Sequence, residues 1–356
     1  MVMDTTSLTS QLDTWLRTRP ADTDPAWLHW SQTQLAEFWQ QVEHLEFKTP
    51  DSTRVCYCVW AQPEPSPWVI VCPGRVEAYV KYQEVALEWA AKGFSVAIID
   101  HRGQGYSDRL TKRHDQGHVA NFTDFVDDFA QFMDILTPRI NGQAAYLLAH
   151  SMGGAIAVLY LAQHEQNKPP FPFKAAVLSA PMMGIHTDPW PPSIGKAIVR
   201  TGAWLNRKLA PNRPSYFLGM KGYENVLFAA NELTHSQARY AFFTAMYETE
   251  PRIRVGGPTW QWLSESLRAM ALLPIVAPRI SLPVLILQAE NDQIVTPKEQ
   301  LAFVDQLTHE KSELLLVATS KHEVLMETDT IRQPAVAAIE RFFAACGVVP
   351  YNTSSG

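Results

Sequence analysis

The chain has 356 residues, 46% of them hydrophobic and 19% charged, with a formal net charge of −6. That composition belongs to a folded globular protein, excludes disordered, collagenous and coiled-coil chains, and lacks the basic balance that nucleic-acid binding needs. At this length two domains, or one large core carrying an insertion, are expected.

Four cysteines (Cys56, Cys58, Cys72 and Cys346) are too few and too scattered for a disulfide framework, and no Cys-x-x-Cys pair points to zinc. A reduced, intracellular chain without a metal is expected. The N-terminus, MVMDTTSLTSQLDTW, has neither a basic leader nor an apolar core, so no signal peptide is read there. The uncharged run from Ala145 to Ala162 is long enough to cross a bilayer. His150, Ser151, Gly153 and Gly154 at its centre divide it instead into a buried strand, a tight turn and a buried helix.

Residues 1–50 hold four of the eleven tryptophans and read as an N-terminal helical segment. Asp24-Pro25 supplies an N-cap and a first-turn proline for a helix from Trp27 to Val42. From residue 54 strands and helices alternate. Strands are expected at 54–61, 68–72, 95–100, 145–149 and 175–179, with helices at 79–92, 122–136 and 152–164. After an irregular stretch the alternation resumes, with strands at 284–288 and 313–318 and helices at 298–307 and 330–346. Continuous apolar strands between helices predict an α/β fold, a mostly parallel sheet with helices on both faces. Residues 51–183 and 276–350 thus form the two parts of one core, and 184–275 an inserted helical cap. That insert carries ten Lys and Arg against six Asp and Glu, a net +4 that leaves −10 for the rest of the chain.

The sequence AHSMGG at 149–154 falls where a strand turns into a helix. A serine at such a turn stands exposed above the sheet, and small neighbours let strand and helix approach closely. Ser151 is therefore the candidate nucleophile, although Ala149 occupies the first glycine position of the usual G-x-S-x-G. A serine nucleophile needs a base and a group that orients it. His322 follows the strand at 313–318, and Asp292 follows the strand at 284–288 with Glu290 as a rival acid in the same loop. His150 reads as packing, and Asp100 with His101 as a loop pin. The amide of Met152 can donate to a developing oxyanion, and in CPGR, where Gly74 lets the backbone turn closely, the amide of Arg75 can supply a second donor.

Together these segments resemble the α/β-hydrolase superfamily and, within it, the bacterial lysophospholipase L2 family, which is similar to monoacylglycerol lipases. The resemblance spans roughly residues 50–346. It is carried by VCPGRVEAYVKY, IIDHRGQGYSDR, LLAHSMGGAI, RIRVGGPTW, LQAENDQIV and KHEVLME. It implies an α/β-hydrolase fold, Ser151 as nucleophile, Asp292 as acid, His322 as base, and oxyanion amides on Arg75 and Met152. No metal or organic cofactor is implied. The implied reaction is cleavage of a lysophospholipid ester through an acyl-enzyme, with acyl transfer if an alcohol replaces water.

A lysolipid has one acyl chain and a polar head. Trp190, Trp204, Trp260, Trp262, Phe242 and Phe243 are candidates for the acyl slot. Arg252 and Arg254, spaced R-x-R, are expected to lie on one face of an extended segment and to meet phosphate. Arg200, Arg207, Lys208 and Arg213 of the cap are further candidates to meet phosphate. The rival readings are a monoacylglycerol lipase or general carboxylesterase, and a non-enzymatic binding protein on the same fold. Reversible contact with the membrane surface, a cytoplasmic location at the inner membrane and no obligate protein partner complete the expectation.

Overall fold

The computed structural model describes residues 5–164, 172–186, 191–211 and 213–347. Three helices lead the chain, α1 (Thr5–Arg17), α2 (Ala26–Gln32) and α3 (Gln34–Trp39). The core follows with β1 (Glu43–Lys48), β2 (Arg54–Trp60), β3 (Trp68–Cys72), α4 (Gln83–Ala91), β4 (Ser95–Ile99), α5 (Thr123–Ile140), β5 (Ala145–His150), α6 (Met152–His164) and β6 (Phe173–Ser179). Next come α7 (Pro192–Leu209), α8 (Gln237–Thr249) and α9 (Trp260–Val276), then β7 (Val284–Ala289), α10 (Pro297–Val304), β8 (Glu313–Val317) and α11 (Asp329–Ala345).

The strands form one eight-stranded sheet in the order β1-β2-β4-β3-β5-β6-β7-β8. The β1/β2 and β2/β4 pairs are antiparallel and all others parallel. From β3 the chain moves to β4 on one side and then to β5 on the other, so the carboxyl ends of β3 and β5 flank a switch point, where ligands bind in open α/β sheets. The pairings Cys72↔Ala149 and His150↔Ser179 bring the loops after β3, β5 and β6 to one edge. Every residue of β3, β4, β5 and β7 is buried, as the uninterrupted apolar runs require.

Two expectations are corrected. The single helix from Trp27 to Val42 is two helices, broken at Thr33, whose hydroxyl donates to the carbonyl of His29 at 2.8 Å. The N-terminal segment is also not wholly helical. Glu43–Lys48 pairs with β2, Glu43 opposite Val59 and Lys48 opposite Arg54. This edge strand is polar and partly exposed, so its composition alone carries no strand signal. The described part of the N-terminal segment is tied into the core: Leu12 and Trp15 of α1 are buried, and the indole of Trp30 donates to the Trp15 carbonyl at 3.0 Å.

A buried ion network joins four parts of the chain. Glu84 and Glu88 project from α4. Arg239 of α8 donates to both oxygens of Glu84, each at 2.7 Å, and to Asp329 at 2.6 Å. Arg19 reaches Glu84 at 2.6 Å and Glu88 at 2.8 Å, and Arg332 of α11 donates to Glu88 at 2.6 Å. The guanidinium of Arg239 also covers the ring of Trp27, 5.5 Å from its centroid. Removing one partner from such a cluster strands a charge in a low-dielectric interior. Arg239→Met should therefore lower the unfolding free energy by about 3–5 kcal/mol, read as a lower denaturation midpoint; a loss under 1 kcal/mol would show the network to be solvated.

Candidate active site

The turn from β5 into α6 is set by a lack of room. A Cβ on Gly153 would lie 2.0 Å from the Cys72 carbonyl oxygen, and one on Gly154 would lie 2.6 Å from Cβ of Pro181. With α6 held this close to the sheet, Ser151 adopts φ +50°, a left-handed conformation that costs a non-glycine residue on the order of 1–3 kcal/mol. Hydrogen bonds hold it there: its N–H donates to Ser179 O at 3.0 Å, and its carbonyl accepts from Met182 at 2.9 Å. Ala149, by contrast, has no positive φ, so the backbone does not require glycine at that position.

His322 meets Ser151 and Asp292 at once. Its Nε2 is 2.9 Å from Ser151 Oγ, and its Nδ1 is 2.7 Å from Asp292 Oδ2. The other carboxylate oxygen of Asp292 accepts from the amides of Ile294 at 2.8 Å and Val295 at 3.0 Å. Burial alone would raise this carboxyl, but the bonds from His322 and the two amides outweigh it and hold Asp292 below the usual range. Glu290 faces elsewhere, its carboxylate accepting from the Thr319 amide at 2.7 Å. Of the two acids in this loop, the structure brings Asp292 to the histidine.

The loop after β3 lies against the serine. A Cβ on Gly74 would stand 3.2 Å from Ser151 Cβ and 2.9 Å from the His150 ring, so only glycine fits without displacement. The Gly74 amide is taken by Glu77 Oε2 at 2.5 Å, and Gln104 pins the Gly74 carbonyl at 2.7 Å. Among the described residues, the amides of Arg75 and Met152 donate to no group of the chain. Asp100 and His101 fasten the same region. Asp100 accepts from the Tyr79 amide at 2.5 Å and the Tyr106 amide at 2.7 Å, while His101 Nε2 lies 3.1 Å from the Pro73 carbonyl.

Beside the histidine lies a buried polar cluster that the sequence reading did not single out. Lys81 donates to Glu77 at 2.8 Å and to Glu323 at 2.5 Å, and the Tyr82 hydroxyl donates to Glu77 at 2.6 Å. The loop after β3 is thereby linked to Glu323, the residue next to His322. Burial works to raise Glu77, but Lys81 and the hydrogen bonds from Lys81 and Tyr82 hold it well below the usual range; burial beside Glu77 raises Glu323 despite Lys81. His150, read as packing, has its ring 4.9 Å from that of His322 and its Nδ1 3.1 Å from the Ser179 carbonyl; burial lowers it to about 4, so it is neutral. Glu77, His150 and Glu323 place donor atoms within 4.8 Å of one another, as a metal would need, but the Lys81 ammonium already supplies a cation between the two carboxylates. The available signal was the i, i+4 Glu77–Lys81 spacing within VEAYVKY.

The residues of 184–275 distribute differently from the sequence expectation. Arg252 lies in a 3-10 turn, Pro251–Ile253, rather than an extended segment. It pairs with Glu250 at 2.6 Å, and Arg254 donates to the carbonyls of Tyr247 at 2.5 Å and Glu248 at 2.9 Å, closing the end of α8. Neither side chain bonds to Ser151, His322 or Asp292. Trp260 packs within the cap, 4.8 Å from the Phe217 ring and against Gly202 of α7. Phe242 stacks edgewise on Trp27 at 5.7 Å, and Trp204 is exposed. Trp190 lies outside the described residues.

The fold and the turn after β5 place the chain in the α/β-hydrolase class. A family model described as serine aminopeptidase, S33 (Hydrolase_4) matches residues 63–329. Lysophospholipase L2 of Escherichia coli K12 is 36% identical over 321 residues, covering 87% of this chain and 89% of that protein. A monoacylglycerol lipase of Mycolicibacterium smegmatis is 25% identical, covering 81% and 92%. Among solved structures, a soluble variant of monoglyceride lipase from Saccharomyces cerevisiae superimposes with a TM-score of 0.68 at 18% identity, covering 86% of this chain and 95% of that one. The chain belongs to the serine aminopeptidase S33 family of hydrolases and, within it, to the lysophospholipase L2 family.

The two loop acids can be separated by isosteric change. Asp292→Asn should lower kcat by about 10⁴-fold, because the amide cannot hold the same imidazole tautomer. Glu290→Gln should remain within a few-fold of wild type. Steady-state ester hydrolysis checks both, and the reverse order would make Glu290 the acid.

Proposed function

We propose that the protein is a lysophospholipase in which Ser151, His322 and Asp292 act as nucleophile, base and acid. The observation that carries this reading is the continuous Ser151–His322–Asp292 hydrogen-bonded chain, with its serine on a strained turn. His322 Nε2 takes the Ser151 proton as Oγ attacks the ester carbonyl, and Asp292 stabilises the resulting imidazolium. The unclaimed amides of Arg75 and Met152 receive the oxyanion. His322 then protonates the departing glycerophospho-alcohol and afterwards deprotonates the water that releases the fatty acid. The family relationship supports a lysophospholipid as the ester; a monoacylglycerol is the alternative, since the three residues do not encode the head group. Arg252, Arg254 and Trp260 enter this reading as cap residues that hold the roof of the site.

Ser151→Ala should reduce ester hydrolysis by at least about 10⁴-fold with the fold intact, and a fluorophosphonate should label Ser151 alone. Mass spectrometry of products from lysophospholipids and monoacylglycerols of matched acyl chain separates the two substrate classes. Preference for monoacylglycerols would favour the alternative.

The same reading includes reversible contact with a lipid surface. Among the described residues no helix is long and apolar enough to cross a membrane. On α7, Ile194, Trp204, Leu205 and Leu209 are exposed beside exposed Lys196, Arg200, Arg207 and Lys208. A helix that presents apolar and basic side chains together suits the interface of an anionic bilayer, here the cytoplasmic face of the inner membrane. Burying one leucine gains about 1.5–3 kcal/mol, so Leu209→Ser should weaken partition onto anionic vesicles roughly tenfold or more. Salt should weaken the wild type further. Sedimentation with vesicles reads both, and an unchanged partition would exclude α7 as the contact.

A further inference from the structure

The buried arginines of this protein mostly face carboxylates: Arg102 bonds Asp128, Arg239 bonds Glu84, and Arg332 bonds Glu88. Half-buried Arg109 has no such partner and, like Arg75, an unpartnered Nε, but it gives both terminal nitrogens to the carbonyls of Gly105, Ser107 and Arg252. Arg75 has fewer acceptors. Nη2 donates to the Gly256 carbonyl of the cap, and the guanidinium lies 5.1 Å from the centroid of the Trp262 ring. The residue as a whole is half-buried, but Nε is shut off from solvent without a partner, and among the described residues no carboxylate bonds the guanidinium. Burial, with no acid nearby to oppose it, pulls this guanidinium down to about 10. A half-buried cation without a counter-ion carries a desolvation cost, and an anion arriving beside it recovers part of that cost.

Its position gives the missing anion a source. Arg75 directly follows Gly74, which touches the serine, and its amide is one of the two unclaimed donors there. Its side chain runs from this loop to the cap seam, where Nη2 would be 2.8 Å from a Cβ on Gly117. The core loop 115–118 and the cap meet here, with Gly117 bonded to Gly257 at 3.1 Å and Thr259 to Gly117 at 2.8 Å. In a 1-acyl lysophospholipid the three carbons of glycerol separate the ester from the phosphate. An arginine side chain spans a similar length between its own amide and its guanidinium. We propose that the Arg75 guanidinium receives the anionic phosphate of the substrate head group, so that one residue holds both ends of the glycerol: its amide the ester oxygen, its side chain the phosphate.

This inference rests on the lysophospholipid reading, and its test is arranged to separate the two. For Arg75→Met, Arg75→Lys and wild type, kcat/KM is measured on 1-palmitoyl lysophosphatidylethanolamine and on 1-palmitoylglycerol. Glycerol 3-phosphate is tested as an inhibitor of p-nitrophenyl butyrate hydrolysis. Loss of a charge-assisted contact should lower the ratio of lysophospholipid to monoacylglycerol kcat/KM by roughly ten- to a hundredfold in Arg75→Met, with partial recovery in Arg75→Lys. Inhibition by glycerol 3-phosphate should weaken by a similar factor. Equal losses on both substrates with a lower melting temperature would make Arg75 a latch on Gly256 and overturn the proposal. If wild type does not cleave the lysophospholipid, the functional reading falls and the inhibition alone decides: inhibition weakened by Arg75→Met sustains an anion site, and absence of inhibition in wild type rejects it.

Discussion

The close approach of α6 to the end of β3 is the constraint from which the site follows. Only glycine at 153 lets the helix lie on the Cys72 carbonyl, and once it does the chain leaves β5 through a left-handed Ser151. The cost of that conformation is offset by burial: every residue from Met152 to Leu161 is buried. The bonds from Ser151 to Ser179 and Met182 stop the turn from relaxing. The serine hydroxyl is then held within reach of the loops after β7 and β8, and α6 starts with its first amide uncommitted.

Charge inside this protein is handled in two ways. Where acids and bases are buried together, as in the Arg239–Glu84 cluster, each ion supplies the field its partner needs; in the Lys81–Glu77–Glu323 cluster one ammonium serves two carboxylates, and Glu323 stays raised. Such clusters tie together segments distant in the chain: the N-terminal residues, α4, the cap and the final helix in one, the loop after β3 and the loop after β8 in the other. Arg75 belongs to neither cluster. It is a half-buried cation beside the site with an unpartnered Nε and no counter-ion among the described residues.

Residues 184–275 show why a regional charge is a poor guide to the role of any one residue. Their net +4 divides among different environments: Arg239 lies deep in an ion network, Arg252 and Arg254 close the turn after α8, and Lys196, Arg200, Arg207 and Lys208 face outward along α7. Long-range fields sum over all of them, but recognition depends on the unsatisfied donors of a single group.

Much of the fold was legible in the sequence because its signals are local. Apolar runs such as WVIVC and AYLLAH can only be strands buried on both faces, and HSMGG after one of them marks the turn and the serine. The chain order of serine, acid and histidine follows from the same pattern of strand ends. The edge strand Glu43–Lys48 and the break at Thr33 were not legible, since one depends on pairing with β2 and the other on how two short helices pack against the core. The sequence favoured Asp292 without excluding Glu290, two residues away in one loop, and it could not set Arg75 apart from Arg252 and Arg254. Those distinctions depend on which partner each side chain meets, and the partners come from loops dozens to hundreds of residues away. Periodicity and turn chemistry act between neighbours in the chain and are written in it; the satisfaction of a buried charge acts between neighbours in space, and only the tertiary structure decides it.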